Sequence, residues 1–151
     1  MGSLAKFYNS LSAEEKKLIN EASYGINFDI LSTVANLQYN KHYNISLKLL
    51  NYGFELATKK EEISQFHICY ALNYEKLKDI EKCNYHCEEA IKLKHIGTYA
   101  YERLIKNYVK AKDWKNALRI CDKVFENEKE DISSYATKRK DFILKQIQKE
   151  L

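Results

Sequence analysis

Three side chains of this sequence stand where a single metal ion could meet them. Cys83, His86 and Cys87 have the i, i+3, i+4 spacing that puts residues on one side of a helix, and His67 or Cys69 could add a further ligand. Such a set would make a tetrahedral zinc site of mixed sulfur and nitrogen donors. The competing reading is packing, because a free cysteine behaves as a small hydrophobe and is among the residues most often buried. Packing is the expectation adopted, with no metal and no cofactor. Disulfides are not expected either, since nothing in the sequence points to an oxidising compartment.

Other chemistry finds little support. The sequence has no glycine-rich phosphate loop, no His-Glu-x-x-His, and no serine or cysteine set in a recognisable nucleophile turn. Glu88 with Glu89, and Glu61 with Glu62, are adjacent carboxylates, which on a helix point in different directions and cannot share a substrate. The chain is therefore read as a non-enzyme.

The elements that would carry these residues are helical. There is no proline and there are only four glycines among 151 residues, so the usual breakers of helices and makers of β-turns are missing. A hydrophobic share of 45% is enough for the continuous core of one domain. No apolar run approaches the roughly 18 to 20 residues needed to cross a bilayer, and the N-terminus lacks the features of a signal peptide. The expectation is a cytoplasmic protein with no membrane partner. Met1, Gly2 and Ser3 read as a tag scar.

Ser12 and Glu15 have capping-box spacing and predict a helix through Leu18 and Ile19 toward Ala22, within an N-terminal helical segment 1–26. From 27 to 131 the pattern is paired. Phe28, Ile30, Leu31, Val34, Ala35 and Leu37 precede the polar break Asn40-Lys41-His42, and Ile45, Leu47, Leu49, Leu50 and Leu56 follow it. A second hairpin is predicted over Glu62–Leu77 and Glu81–Leu93, and a third over Thr98–Lys110 and Trp114–Phe125. The segment 132–151 reads as a last amphipathic helix that caps the stack, with Tyr135, Phe142, Ile143 and Ile147 inward.

The second and third hairpins superpose at an offset of 34 residues: Tyr74 on Tyr108, Asp79 on Asp113, Ile80 on Trp114, Cys83 on Ala117, Cys87 on Cys121 and Ala90 on Val124. A repeat of that length predicts a solenoid, in which each unit buries its apolar face only against a neighbour. The first hairpin, with Ile30, Thr33, Val34, Leu37, Tyr43, Ser46, Leu50 and Gly53, lies 37 residues before the second. Gly53 and Ala90 are small side chains that let helices approach closely.

On these residues the sequence resembles the tetratricopeptide repeat family over about 100 of its 151 residues. The third unit carries the pattern as Tyr101, Leu104, Ile105, Tyr108, Asp113, Trp114, Ala117, Cys121 and Val124, and the second as His67, Tyr70, Ala71, Tyr74, Asp79, Ile80, Cys83, Cys87 and Ala90. It departs from the family at His95, where a proline is usual, and at Ile105, where a small residue is usual. The resemblance implies an all-α, right-handed superhelix of stacked antiparallel hairpins whose first helices line a concave groove for a peptide or protein. By position, that groove would use Phe28, Leu31, Ala35 and Gln38, then Gln65, Ile68, Leu72 and Glu75, then Tyr99, Glu102, Arg103, Lys106 and Val109. Ile68, Leu72 and Val109 could equally be core. The family's carboxylate clamp is not expected, since its positions hold Leu31, Ala35, Cys69 and Tyr99 and only Arg103 fits. The Lys-, Asn- and Tyr-rich style also resembles the sensor domains of peptide-pheromone-responsive regulators of Gram-positive bacteria, although residues 1–26 show no helix-turn-helix.

Two other functions compete. A structural or self-associating module would use the convex face or the terminal helices. A nucleic-acid binder would use Lys138, Arg139, Lys140, Lys145 and Lys149. Residues 76–151 hold 18 basic and 13 acidic groups, but these are interleaved as on solvated helix faces, so nucleic acid is not the expected partner. Tyr8, Tyr39, Tyr52, Tyr85 and Tyr101 suit either core or interface.

Overall fold

The computed structural model describes residues 3–23 and 29–151. Among them the chain is all-α, built from α1 (Ser3–Asn9), α2 (Ala13–Ser23), α3 (Ile30–Tyr39), α4 (Tyr43–Leu56), α5 (Lys60–Lys76), α6 (Ile80–Lys92), α7 (Tyr99–Lys110), α8 (Trp114–Glu126) and α9 (Ser133–Glu150), with a short 3-10 turn at Glu130–Ile132. No described helix is long and apolar enough to cross a membrane. Each helix packs on the next from α2 to α9, and α3 also touches α5, as α5 touches α7.

The predicted boundaries reappear because local chemistry sets them. Ser12 and Glu15 close the expected capping box: the Glu15 amide donates to Ser12 Oγ at 3.1 Å and the Ser12 amide to the Glu15 carboxylate at 2.9 Å. Asp79 and Asp113 cap α6 and α8 by accepting from the amides of Lys82 and Asn116, both at 3.2 Å. The turns that precede them repeat as well. Lys78 and Lys112 have φ of 62° and 57°, and behind each a Schellman pair closes the helix. Asp79 N donates to Tyr74 O at 2.9 Å and Asp113 N to Tyr108 O at 2.8 Å. Lys41, at φ 64°, makes the same turn one unit earlier, with His42 N on Leu37 O at 2.8 Å. The turns that leave α6 and α8 use Lys94 and Glu128 in the same left-handed conformation.

Close approach at Gly53 is real: a Cβ there would stand 2.7 Å from Phe66 Cζ and 2.8 Å from Ile30 Cγ2. Two core clusters result. One joins α2, α3, α4 and the start of α5 around Val34, Leu37, Leu49, Leu50 and Phe66, and the other joins α5 to α9 around Cys83, Cys87, Tyr101, Leu104, Ile120 and Ile143. Tyr74 packs against both.

The N-terminal segment is helical and divides into two helices, with Ser10 and Leu11 turning on the carbonyls of Phe7 and Tyr8. Two expectations need correction. Phe142 does not face inward: it is exposed, meeting Trp114 edge-on at 6.2 Å while Ile143 fills the core. Leu56 is likewise exposed at the end of α4. The tyrosines divide cleanly, with Tyr101 wholly buried, Tyr39 and Tyr85 exposed, Tyr52 stacked on Phe7 at 4.5 Å and Tyr8 accepting from Asn20 at 2.9 Å.

Candidate functional site

On the face shared by α3, α5 and α7, three predicted site residues meet. Tyr99 Oη donates to Glu75 Oε1 at 2.6 Å, and an Arg103 guanidinium nitrogen lies 3.3 Å from the same oxygen. The bond joins α5 to α7 across the boundary between the second and third helix pairs. Burial pushes the Glu75 carboxyl up, but the Tyr99 hydroxyl and Arg103 outweigh it and hold the group below its usual range. Burial, reinforced by the Glu75 charge, drives the Tyr99 phenol upward, so it stays a donor. Arg103 Nε is buried and has no hydrogen-bond partner among the described residues. Glu102, half-buried, belongs to the same neighbourhood beside Tyr135.

The remaining predicted positions are spread along this face. Gln38 donates to the Cys69 carbonyl at 2.9 Å and to Asn73 Oδ1 at 3.2 Å, tying α3 to α5. Gln65 lies 3.9 Å from Cys69 Sγ. Leu31, Leu72 and Val109 are half-buried against the core, Ile68 is in it, and Ala35 and Lys106 are exposed. Phe28 lies outside the described residues. A cleft of about 600 Å³ opens elsewhere, between α1 and α4, and is lined by Lys6, Phe7, Leu11, Lys48 and Tyr52 among others.

Sequence reasoning missed two buried amides. Asn73 is fully buried and joins three helices, accepting from Gln38 and Ser46 and donating to the Tyr43 carbonyl at 3.1 Å. Asn107 sits 34 residues later and donates to Asn84 Oδ1 at 2.7 Å. The signal was in the register: a polar residue repeated at the repeat period marks a position fixed by hydrogen bonding.

The metal-like spacing does not assemble. Cys83 and Cys87 are fully buried toward α7, where Asn107 Nδ2 is 3.9 Å from Cys83 Sγ. His86 points away from them, to α5. Among the described residues no three His, Cys, Asp or Glu side chains are placed to hold a metal ion. All four cysteines are free and buried, and burial pushes the Cys69 and Cys121 thiols up to about 11.

His86 finds a different partner. Its Nδ1 is 2.9 Å from Nδ1 of His67, its ring stacks on Tyr70 at 4.5 Å, and Tyr74 continues the stack at 5.7 Å. Tyr70 Oη donates to Asn51 Oδ1 of α4 at 2.5 Å, and Phe54 covers His67 edge-on at 5.3 Å. Burial lowers both imidazoles, His86 to about 4 with His67 adding to the effect, while Glu89 opposes the shift at each ring.

Set against protein-family models, curated proteins and solved structures, the chain matches none of them.

Proposed function

We propose that the chain is a non-enzymatic module of tetratricopeptide-like repeats, a right-handed superhelical solenoid capped by α9, which binds an extended peptide or protein segment on the concave face formed by α3, α5 and α7. The observation that carries this reading is the Glu75–Tyr99–Arg103 cluster. It draws side chains from two helix pairs into one preorganised polar centre, and Leu31, Leu72 and Val109 lie half-buried on the same three helices. Apolar anchors beside a fixed polar centre suit a segment that presents alternate apolar side chains and backbone amides. A regulatory, peptide-sensing role in the cytoplasm fits the same face, and four free buried thiols accord with a reducing compartment.

Selection from a displayed random-peptide library, followed by titration of the enriched peptides, tests this. Leu72→Glu and Glu75→Gln are each expected to weaken binding at least about tenfold, the loss of one anchor or one polar contact, while circular dichroism remains that of wild type. Equal affinity for both variants would move binding off this face, and failure to enrich any peptide would remove the reading.

A self-associating module is the second reading, favoured by exposed Phe142, Leu144 and Leu151 on and beside α9. Mass that rises with concentration would support it. The basic residues of α9 give a nucleic-acid reading less support, since Lys140 is paired with Asp122 at 2.8 Å and Arg139 lies over the Phe142 ring.

A further inference from the structure

Laid on the third helix pair at the 34-residue offset, His67 corresponds to Tyr101, Tyr70 to Leu104 and His86 to Ile120. In the third pair these positions are filled by side chains that are fully buried and stay neutral: Tyr101, Leu104 and Ile120 are all at 0% exposure, and the Tyr101 hydroxyl accepts from Asn127 at 2.8 Å. The fold therefore has no need of imidazoles here. The second pair nevertheless places two, Nδ1 to Nδ1 at 2.9 Å. That contact is a hydrogen bond only if one Nδ1 carries a proton and the other does not, so in the neutral pair one proton lies between the rings and the accepting ring carries its own on Nε2. Uptake of one proton at the outer Nε2 leaves that bond in place in a singly charged pair; only uptake of a further proton at the facing Nδ1 would leave two N–H groups and two positive charges pointing at one another.

We infer that the His67–His86 pair is a proton-operated latch between α5 and α6, closed while one proton lies between the facing Nδ1 atoms, in the neutral and the singly charged pair alike, and opened when acid charges both rings. The surroundings leave little to hold the charged form. From α4 the seam receives Phe54, the Asn51 amide and the Glu55 carboxylate, which acts on Tyr70. From α5 it receives Tyr70 and Tyr74, and from α6 Tyr85, Glu89 and Lys82, the last over the Tyr74 ring at 5.4 Å. Among the described residues Glu89 is the acidic group acting on both imidazoles, and it is already engaged with Lys92 at 3.3 Å. Opening breaks the shared N–H···N bond, lets the His86 ring leave its stack on Tyr70, and exposes the Tyr70–Tyr74 face between α4 and α6. A surface closed at neutral pH thus becomes available in acid.

Nuclear magnetic resonance of the whole chain from pH 7.5 to 4 tests the latch. The His67 and His86 rings are expected to titrate in two coupled steps, both below the ordinary range of histidine, with the Tyr70 and Tyr74 ring signals moving in the second, more acid step. His86→Asn keeps a polar partner for His67 without a second cation; in it the tyrosine response is expected to disappear and His67 to titrate in a single step. Independent titration of the two wild-type rings at ordinary values would overturn the latch, and so would an unchanged tyrosine response in the variant. Should the variant fold poorly, the wild-type ring titration decides alone.

Discussion

Where α5 carries His67 and Tyr70, α7 carries Tyr101 and Leu104, and where α6 carries His86, α8 carries Ile120. The two helix pairs share their turns, their aspartate caps and their buried asparagines, yet one seals its interior with apolar groups and the other with titratable rings. Repetition thus separates what the fold demands from what one unit adds. Asp79 and Asp113 are demanded, because each α6 or α8 amide end needs an acceptor. His67 and His86 are added.

Exchanging residues between the units gives the largest expected effect. Ile120→His, which carries the second unit's residue into the third, leaves an imidazole without a second ring to share its proton, in a site at 0% exposure. Urea unfolding should show a loss of about 3 kcal/mol from lost packing and an unpaired buried polar group; a change below about 1 kcal/mol would mean that the third interior tolerates what distinguishes the second.

Next comes the position where side-chain size grows along the chain, from Gly53 to Ala90 to Val124. Gly53→Ala would drive a Cβ within 2.8 Å of both Phe66 and Ile30, and thermal or urea unfolding is expected to show about 2 kcal/mol of destabilisation. An unchanged midpoint would show that α3 and α5 can move apart freely.

Acid sharpens the contrast further. The folded-state imidazoles of His67 and His86 are held below the ordinary 6.5, so between pH 6.5 and about 4 the unfolded chain binds more protons, and stability falls as pH falls. His95, also lowered by burial and then by Lys129, acts in the same direction. The unfolding constant should rise by up to about tenfold per pH unit for each extra proton bound by the unfolded chain. His86→Asn should flatten that slope, and an equally steep slope in the variant would assign it to other groups.

The smallest effect concerns what the units share. Lys78→Gly and Lys112→Gly each relieve a left-handed turn residue, at φ 62° and 57°, and are each expected to stabilise by about 0.5–1 kcal/mol in urea unfolding. Unequal gains would show that the two turns differ in strain despite their common geometry.

Helices and turns were legible in the sequence because they rest on local chemistry: the Ser12–Glu15 box, the aspartate caps and the repeat register needed no distant partner. The separate helix α1 before that box was not, since Ser3–Asn9 carries no capping pair and the turn after it rests on backbone bonds. Side-chain direction was the harder matter. Spacing put Cys83, His86 and Cys87 on one side of α6, but a helix between two neighbours divides that side, sending the thiols toward α7 and the imidazole toward α5. Asn73 and Asn107 owe their burial to partners on neighbouring helices, which the spacing within α5 and α7 does not encode. For the candidate binding face, the pattern assigned the described residues to their helices; the meeting of Glu75, Tyr99 and Arg103 depends on how adjacent helix pairs sit, which no single helix encodes.

Amide hydrogen exchange resolved by helix, followed from pH 7.5 to 4.5 and corrected for the intrinsic pH dependence of exchange, tests most directly whether the second helix pair is a titratable version of the third. Protection in α5 and α6 should fall with pH before that in α7 and α8 does. Parallel loss across all four helices, or earlier loss in α7 and α8, would contradict it.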